Sequence, residues 1–241
     1  MRAIILAAGR GSRMKTLTNN QPKCLLKVKN KPLIEWQLEA FSTNKIKKIA
    51  LVTGYKREML EKYSLKEFFN SNWQTTQMVS SLVCASKWLE SEPCIVSYSD
   101  IFYRPEIIKS LINSGSELAI AYDPNWLELW EDRFDDPLSD AESFKLDENK
   151  NLLEIGKRPL NISEIEGQYM GLIRFTPQGW KKFRGLKESL PSKIQDSIHM
   201  TGMLQKLLEL KKLSIEAIPN LDTWGEVDSQ TDLNKSNKKV L

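Results

Sequence analysis

A glycine loop follows the first apolar segment of the chain. Residues 4–8 are apolar, and two glycines one residue apart follow within residues 9–11. Glycine lets backbone N–H groups approach a phosphate closely, and Arg10, Arg13 and Lys23 add positive charge around the loop. The loop is therefore interpreted as a cradle for a nucleotide phosphate, although Gly-x-Gly after a strand is also compatible with an ordinary turn.

The two best-known glycine loops fit this stretch badly. The Gly-Lys-Ser/Thr of a P-loop is absent, and Met14 stands where a dinucleotide-binding Gly-x-Gly-x-x-Gly has its third glycine. In both motifs a helix opens at once, whereas Asn-Asn-Gln-Pro at residues 19–22 predicts a loop. We therefore interpret this stretch as a longer loop that wraps around the phosphate and brings Lys23 back to it.

Asp100 follows the apolar residues 94–98, which predict a buried strand. Ligands of α/β sheets gather at the carboxyl ends of strands, and a carboxylate has no packing reason to be there. Asp100 is therefore a candidate metal ligand, although aspartate also caps turns.

The motifs resemble those of a known family. Residues 6–14 (LAAGRGSRM), followed by residues 22–26 (PKCLL), resemble the signature of nucleotidyltransferases that join an NTP to a phosphorylated small molecule. Residues 98–100, 164–171 and 224–228 also have counterparts in this family. These stretches most resemble the branch that contains phosphocholine, aminoethylphosphonate and phosphoglutamine cytidylyltransferases. The resemblance implies transfer of CMP from CTP to the phosphate or phosphonate of a small acceptor with release of pyrophosphate, in the modification of cell-surface polysaccharides or phosphonates.

The resemblance also implies roles for individual residues. The expected catalytic residues are Lys23, Arg13 and Asp100. The expected nucleotide-binding residues are Leu6, Ala7, Ala8, Gly9, Arg10, Gly11, Ser12, Arg13, Lys23, Gln77, Ser80, Ser81 and Ser99. Mg²⁺ is the expected cofactor, held by the hard oxygens of Asp100, Asp228 and Glu226. Recognition of the base is expected in residues 72–81, where amides and hydroxyls at a helix start can read the edge of a pyrimidine, although Thr75 also suits an N-cap. Relatives usually have asparagine where Gln77 stands, which leaves the contact to cytosine open.

Acceptor recognition is expected in residues 122–168, which hold 5 Lys/Arg and 13 Asp/Glu, a net charge of −8. An acidic, tryptophan-bearing segment suits an amine-bearing acceptor, although tryptophans four residues apart are also typical of a core helix face. Basic residues of the same region are the alternative contacts, to the acceptor's phosphate. The expected acceptor-binding residues are Trp126, Trp130, Arg133, Glu142, Lys157, Glu166, Gln168 and Tyr169.

Composition excludes several other classes. Residues 1–60 hold 13 Lys/Arg and 3 Asp/Glu, a net charge of +10 that suits a triphosphate, but no basic patch with interleaved aromatics predicts nucleic-acid binding. Three scattered cysteines indicate neither a disulfide framework nor a thiolate metal site. The single histidine, His199, excludes multi-histidine zinc sites and is interpreted as structural or peripheral.

No apolar run predicts a membrane span, so a cytoplasmic protein is expected. The sequence does not determine the oligomeric state, and a homodimer is one of the states that stay open.

The alternation of elements predicts an α/β fold with a mostly parallel, mixed central sheet and helices on both faces, a Rossmann-like arrangement that the resemblance identifies as GT-A-like. Predicted strands are 2–7, 47–53, 65–69, 94–98, 118–121, 142–147, 151–156, 165–175 and 213–217. Predicted helices are 32–43, 57–63, 75–90, 105–113, 177–186 and 200–210. One domain is expected, with a nucleotide-binding half (1–121), an acceptor-binding half (122–233) and a frayed polar tail (234–241).

Two alternative functions remain. A sugar-1-phosphate nucleotidyltransferase shares the loop, Lys23 and the metal site, but is expected to use polar contacts to sugar hydroxyls instead of an acidic, tryptophan-bearing segment. A non-catalytic nucleotide-binding homologue typically lacks the lysine or the carboxylates, whereas Lys23, Asp100 and Asp228 are all present here.

Overall fold

A computed structural model describes residues 1–238. The strands are β1 Arg2–Ala7, β2 Lys27–Val28, β3 Lys31–Pro32, β4 Ile49–Thr53, β5 Lys66–Phe69, β6 Cys94–Tyr98, β7 Ile101–Tyr103, β8 Leu118–Asp123, β9 Phe144–Leu146, β10 Leu152–Ile155, β11 Gln168–Phe175, β12 Glu216–Pro219 and β13 Trp224–Glu226. The α-helices are α1 Leu33–Thr43, α2 Met78–Val83, α3 Ser86–Leu89, α4 Pro105–Asn113, α5 Trp126–Arg133, α6 Pro177–Ser189, α7 Ser192–Ser197, α8 Met200–Glu209 and α9 Gln230–Ser236. Short 3₁₀ segments occupy Ser12–Thr18, Lys23–Leu25, Arg57–Tyr63, Pro137–Ser139 and Ile162–Glu164.

Seven strands form the central sheet in the order β12-β8-β11-β6-β1-β4-β5. Every neighbouring pair is parallel except the two that involve β11, which runs antiparallel to β8 and β6. The prediction of a mostly parallel, mixed sheet is confirmed. Because the carboxyl ends of β1 and β6 lie side by side, the glycine loop and Asp100 emerge at the same edge of the sheet.

Both faces of the sheet are covered. Ile4 and Ile5 are successive residues of β1, so they point to opposite faces, and both are fully buried. Helices α1 and α4 pack together, and α8 contacts both α2 and α6. Within residues 1–238, no helix has the length and apolar character needed to cross a bilayer.

The principal predicted elements are present, with some differences. The helix predicted over 57–63 is a 3₁₀ segment, and the strand predicted at 213–217 lies at Glu216–Pro219. The helix predicted over 75–90 begins only at Met78, because residue 77 is extended and its backbone N–H donates to Asp196 O at 2.8 Å, and it breaks near Ala85. The frayed tail predicted after Leu233 is wrong for 234–236, which continue α9 under a capping box at its first turn. Residues 239–241 of that tail lie outside the described residues.

Candidate active site

The glycine loop encloses the stem of Lys23. Gly11 has φ +68°, in the left-handed region, and a Cβ on it would lie 2.9 Å from Lys23 Cδ. Only glycine therefore combines this backbone conformation with the close approach of the lysine. The Thr18 hydroxyl donates to Gly11 O at 3.0 Å and closes the loop. The loop thus holds the lysine stem in place and directs its ammonium inward.

The ammonium of Lys23 lies between two carboxylates. Lys23 Nζ donates to Asp100 Oδ2 at 2.9 Å and also to Asp228 Oδ1, and Arg13 pairs with the other oxygen of Asp228. Burial by itself lowers the pKa of Lys23, but the negative charges of Asp100 and Asp228 outweigh it and the pKa is raised. The lysine is therefore a fixed positive charge at the centre of the site.

A two-stranded ladder brings the carboxylates together. β7 and β13 pair antiparallel, with Glu226 opposite Ile101, and the backbone N–H of Val227 donates to Asp100 O at 2.9 Å. The pairing requires Gly225, because a Cβ there would lie 2.6 Å from the ring of Phe102. Residues separated by more than a hundred positions in the chain thus become neighbours.

The three carboxylates suit a divalent cation. Oxygens of Asp100, Glu226 and Asp228 lie within 4.8 Å of one another. Among the described residues, the buried Oδ1 of Asp100 has no hydrogen-bond partner, and a bound ion or water would satisfy such an oxygen. Burial raises the pKa of Glu226 to about 7, against the opposing charge of Arg133. Hard oxygens in this number are typical ligands of Mg²⁺ or Mn²⁺.

A first cavity of about 260 Å³, here called the nucleotide cavity, lies beside this cluster. Most of the expected nucleotide-binding residues line it: Leu6, Ala8, Gly9, Gly11, Ser12, Arg13, Lys23, Gln77, Ser81 and Ser99. Trp73, Thr76 and Met78 also line it, and they belong to the segment 72–81 that is expected to recognise the base. Tyr98 is a further lining residue. No contact was predicted for Tyr98, whose only signal was its place directly before Ser99, since an aromatic residue at the end of a strand is equally typical of the core.

Three expected nucleotide-binding residues do not line this cavity. Ala7 is buried in β1. Arg10 donates to the side-chain oxygen of Asn19 at 2.8 Å on the exposed side of the loop. The Ser80 hydroxyl donates to Gln195 O at 3.1 Å, so it holds α2 to α7.

A second cavity of about 230 Å³, here called the acceptor cavity, adjoins the first. The two share four lining residues: Arg13, Met78, Tyr98 and Asp228. Of the expected acceptor-binding residues, Trp130, Glu142, Gln168 and Tyr169 line it. Asp140, His199, Met200 and Thr201 also line it, although the sequence did not predict them. His199, interpreted as structural or peripheral, borders the cavity at the start of α8.

The other expected acceptor-binding residues are engaged elsewhere. Trp126 is buried, and its indole N–H donates to Ile165 O at 3.2 Å. This agrees with the alternative that the tryptophan belongs to the core face of a helix. Lys157 is exposed and pairs with Glu154 at 2.5 Å. The carboxylate of Glu166 accepts a backbone N–H at 2.5 Å. None of these three lines either cavity.

Arg133 supports the cluster from behind. Its side chain is only 3% exposed, and it donates to Glu226 at 2.8 Å and to Asp232 at 3.1 Å. Asp232 in turn accepts the backbone N–H of Asp228 at 3.0 Å. Arg133 is therefore committed to the carboxylates, and the structure does not offer it to the phosphate of an acceptor.

The chain is similar in sequence or in fold to proteins of known activity. CTP:phosphoglutamine cytidylyltransferase of Campylobacter jejuni is 39% identical, over 97% of this chain and 98% of that protein. Choline-phosphate cytidylyltransferase of Streptococcus pneumoniae is 34% identical, over 46% of this chain and 51% of that protein. Among solved structures, the inositol-1-phosphate CTP transferase from T. maritima superposes with a TM-score of 0.77 at 21% identity, over 100% of this chain and 97% of that one.

Residues 3–130 match the family described as the MobA-like NTP transferase domain. That range includes the glycine loop, Lys23 and Asp100, and the structural neighbours have the GT-A-like fold of nucleotidyltransferases. The chain therefore belongs to the MobA-like NTP transferase family.

Proposed function

We propose that this chain transfers CMP from CTP to a phosphate or phosphonate oxygen of a small acceptor and releases pyrophosphate. The observation that carries the proposal is the meeting of two cavities at Arg13 and Asp228, beside Lys23 and the carboxylate cluster. A nucleotide in one cavity and an acceptor in the other would present their phosphates to each other there. The similarity to a cytidylyltransferase over 97% of the chain supports the choice of CTP.

The chemistry requires positioning and charge neutralisation. A phosphate or phosphonate oxygen is already ionised near neutral pH, so its in-line attack on the α-phosphorus needs no general base. Arg13 and the backbone of the glycine loop would hold the β- and γ-phosphates, and Lys23 would neutralise the α-phosphate. We propose Mg²⁺ as the ion held by Asp100, Asp228 and Glu226, where it would neutralise charge at the reacting phosphorus.

The two halves of the chain would divide the work. We propose one domain in which residues 1–121 bind the nucleotide and residues 122–233 supply most of the acceptor cavity, with Arg13, Met78 and Tyr98 as the shared boundary. We further propose a cytoplasmic enzyme, since CTP and phosphorylated small molecules are cytoplasmic compounds.

A matrix of nucleotides and acceptors tests the proposal. CTP, UTP, ATP, GTP and dTTP are each offered with phosphoglutamine, phosphocholine, aminoethylphosphonate, inositol 1-phosphate and glucose 1-phosphate, and pyrophosphate release is measured. CTP with a non-sugar acceptor is expected to give the highest rate, and to need a divalent cation. A preference for glucose 1-phosphate with UTP or dTTP would instead identify a sugar-1-phosphate nucleotidyltransferase. Nucleotide binding without turnover of any pair would identify a non-catalytic homologue.

A further inference from the structure

Glu142 is a carboxylate without a cationic partner. It is half-buried in the wall of the acceptor cavity, where its Oε1 accepts the Thr201 hydroxyl at 3.2 Å. Within residues 1–238 Glu142 takes part in no ion pair. By contrast, nearby Glu226 pairs with Arg133, and Asp228 pairs with both Lys23 and Arg13. A partly buried carboxylate is costly unless a cation or several N–H donors meet it, so the missing partner is expected from the ligand.

A second carboxylate adds to the negative charge of the cavity. Asp140 lies at the exposed rim, two residues before Glu142. Burial raises the pKa of Glu142, and the negative charge of Asp140 raises it further. The other charged or titratable groups that line the cavity are Arg13, Glu226 and Asp228, together with His199 and the hydroxyls of Tyr98 and Tyr169.

The aromatic rings of the cavity do not form a cage. The guanidinium of Arg133 lies over the ring of Trp130, 5.1 Å from its centre, so a cation already covers a face of that ring. Tyr98 and Tyr169 meet edge to face, with centres 5.8 Å apart and planes at 86°. A quaternary ammonium needs several open ring faces, whereas a primary ammonium needs oxygen acceptors for its three N–H groups. The carboxylates of Glu142 and Asp140 supply such acceptors.

We infer that the acceptor cavity recognises a primary ammonium group on the acceptor, with Glu142 accepting its N–H and Asp140 adding negative charge at the rim. The inference rests on the proposed function and narrows its substrate class to aminoalkyl or amino-acid phosphates and phosphonates. Quaternary amines and neutral polyols are the excluded classes.

Three probes that share a phosphate monoester separate the possibilities. O-Phosphoethanolamine carries a primary ammonium, phosphocholine a quaternary one, and ethyl phosphate none. Their dissociation constants are measured by calorimetry on the enzyme with Mg²⁺ and a non-reactive CTP analogue. Phosphoethanolamine is expected to bind about tenfold to hundredfold more tightly than either of the other two, as a charge-assisted hydrogen bond predicts.

Isosteric variants assign the effect to one residue. Glu142→Gln keeps the shape of the side chain, so it is expected to abolish the preference for phosphoethanolamine while the affinity for ethyl phosphate and for the CTP analogue stays unchanged. Asp140→Asn is expected to reduce the preference about threefold. Glu148→Gln removes an exposed charge from the same acidic segment and serves as the matched control.

Several outcomes would overturn the inference. They are equal binding of the three probes, tighter binding of phosphocholine, no detectable binding of any probe, or a preference that survives in Glu142→Gln. The proposed function stands or falls separately, because pyrophosphate release in the nucleotide and acceptor matrix does not depend on how these probes rank.

Discussion

The nucleotide cavity and the acceptor cavity are built in different ways. Loop and strand-end residues of the first hundred positions supply most of the nucleotide cavity, and much of its chemistry is backbone and charge around one glycine loop. The acceptor cavity draws its walls from residues scattered between Arg13 and Asp228, mostly through side chains. A triphosphate can be held by a short local motif because backbone N–H groups suffice, whereas a variable acceptor is selected by side chains that the fold must gather.

The two cavities also differ in how their charges are balanced. The ionised groups at the nucleotide end, Lys23, Asp100 and Asp228, are paired with one another. Glu142 in the acceptor cavity is not. The first region is thus arranged before any ligand binds, and the second receives its missing charge from the ligand.

The largest expected effect is at the cluster that both cavities adjoin. Asp100→Asn removes one of three carboxylates that suit a divalent cation, and kcat is expected to fall by about a thousandfold, or about 4 kcal/mol. Steady-state pyrophosphate release and Mn²⁺ binding measure it, with Asp135→Asn as an exposed control. Near wild-type turnover together with unchanged Mn²⁺ affinity would show that the ion binds elsewhere.

The next effect concerns the support behind the cluster. Arg133→Met leaves Glu226 and Asp232 without their cation, and the free energy of unfolding is expected to fall by about 3 kcal/mol. Urea denaturation measures the loss. Arg184→Met, which removes an exposed arginine paired with two glutamates, is expected to cost less than about 1 kcal/mol. Equal losses in the two variants would contradict a larger contribution of the buried Arg133 to stability.

A methyl group on Gly11 tests the nucleotide cavity alone. Gly11→Ala must either leave φ +68° or displace the Lys23 stem, at a cost of about 1–2 kcal/mol. The affinity for CTP is therefore expected to fall about tenfold, while that for the acceptor stays the same. Gly115→Ala, where a Cβ meets no atom within 4 Å, is the control for calorimetry. A parallel loss of acceptor affinity would mean that the two cavities are not independent.

The smallest expected effect is a pH dependence of the acceptor cavity. Because burial raises the pKa of Glu142, its carboxylate takes up a proton at a higher pH than an exposed glutamate does. Affinity for phosphoethanolamine is thus expected to be full above that raised pKa and to weaken about threefold as the pH falls from neutral toward ~5. Calorimetry over this range should show the dependence in wild type and lose that component in Glu142→Gln. Identical pH curves for the two proteins would assign the titration to another group.

The principal strands of the sheet and the candidate phosphate-binding residues could be predicted from the sequence alone. The apolar runs at 2–7 and 94–98 predict buried strands because each is a continuous run of the right length. The glycine loop and Lys23 could be related to a phosphate from their residue types and their short spacing in the sequence, without knowledge of the fold. Asp100 was readable for the same reason, since it directly follows a strand.

Other features of the site depend on contacts between distant parts of the chain. The family resemblance implied that Glu226 and Asp228 join Asp100, but the means by which they meet was not predicted. β7 and β13 have three residues each, too few for any periodicity, and their pairing places the three carboxylates together. Arg133 was expected to bind the acceptor, but in the structure it pairs with Glu226 and Asp232, which are 93 and 99 residues further along the chain. His199 borders the acceptor cavity only because α8 begins there, and this depends on packing between distant segments, which a single sequence does not record.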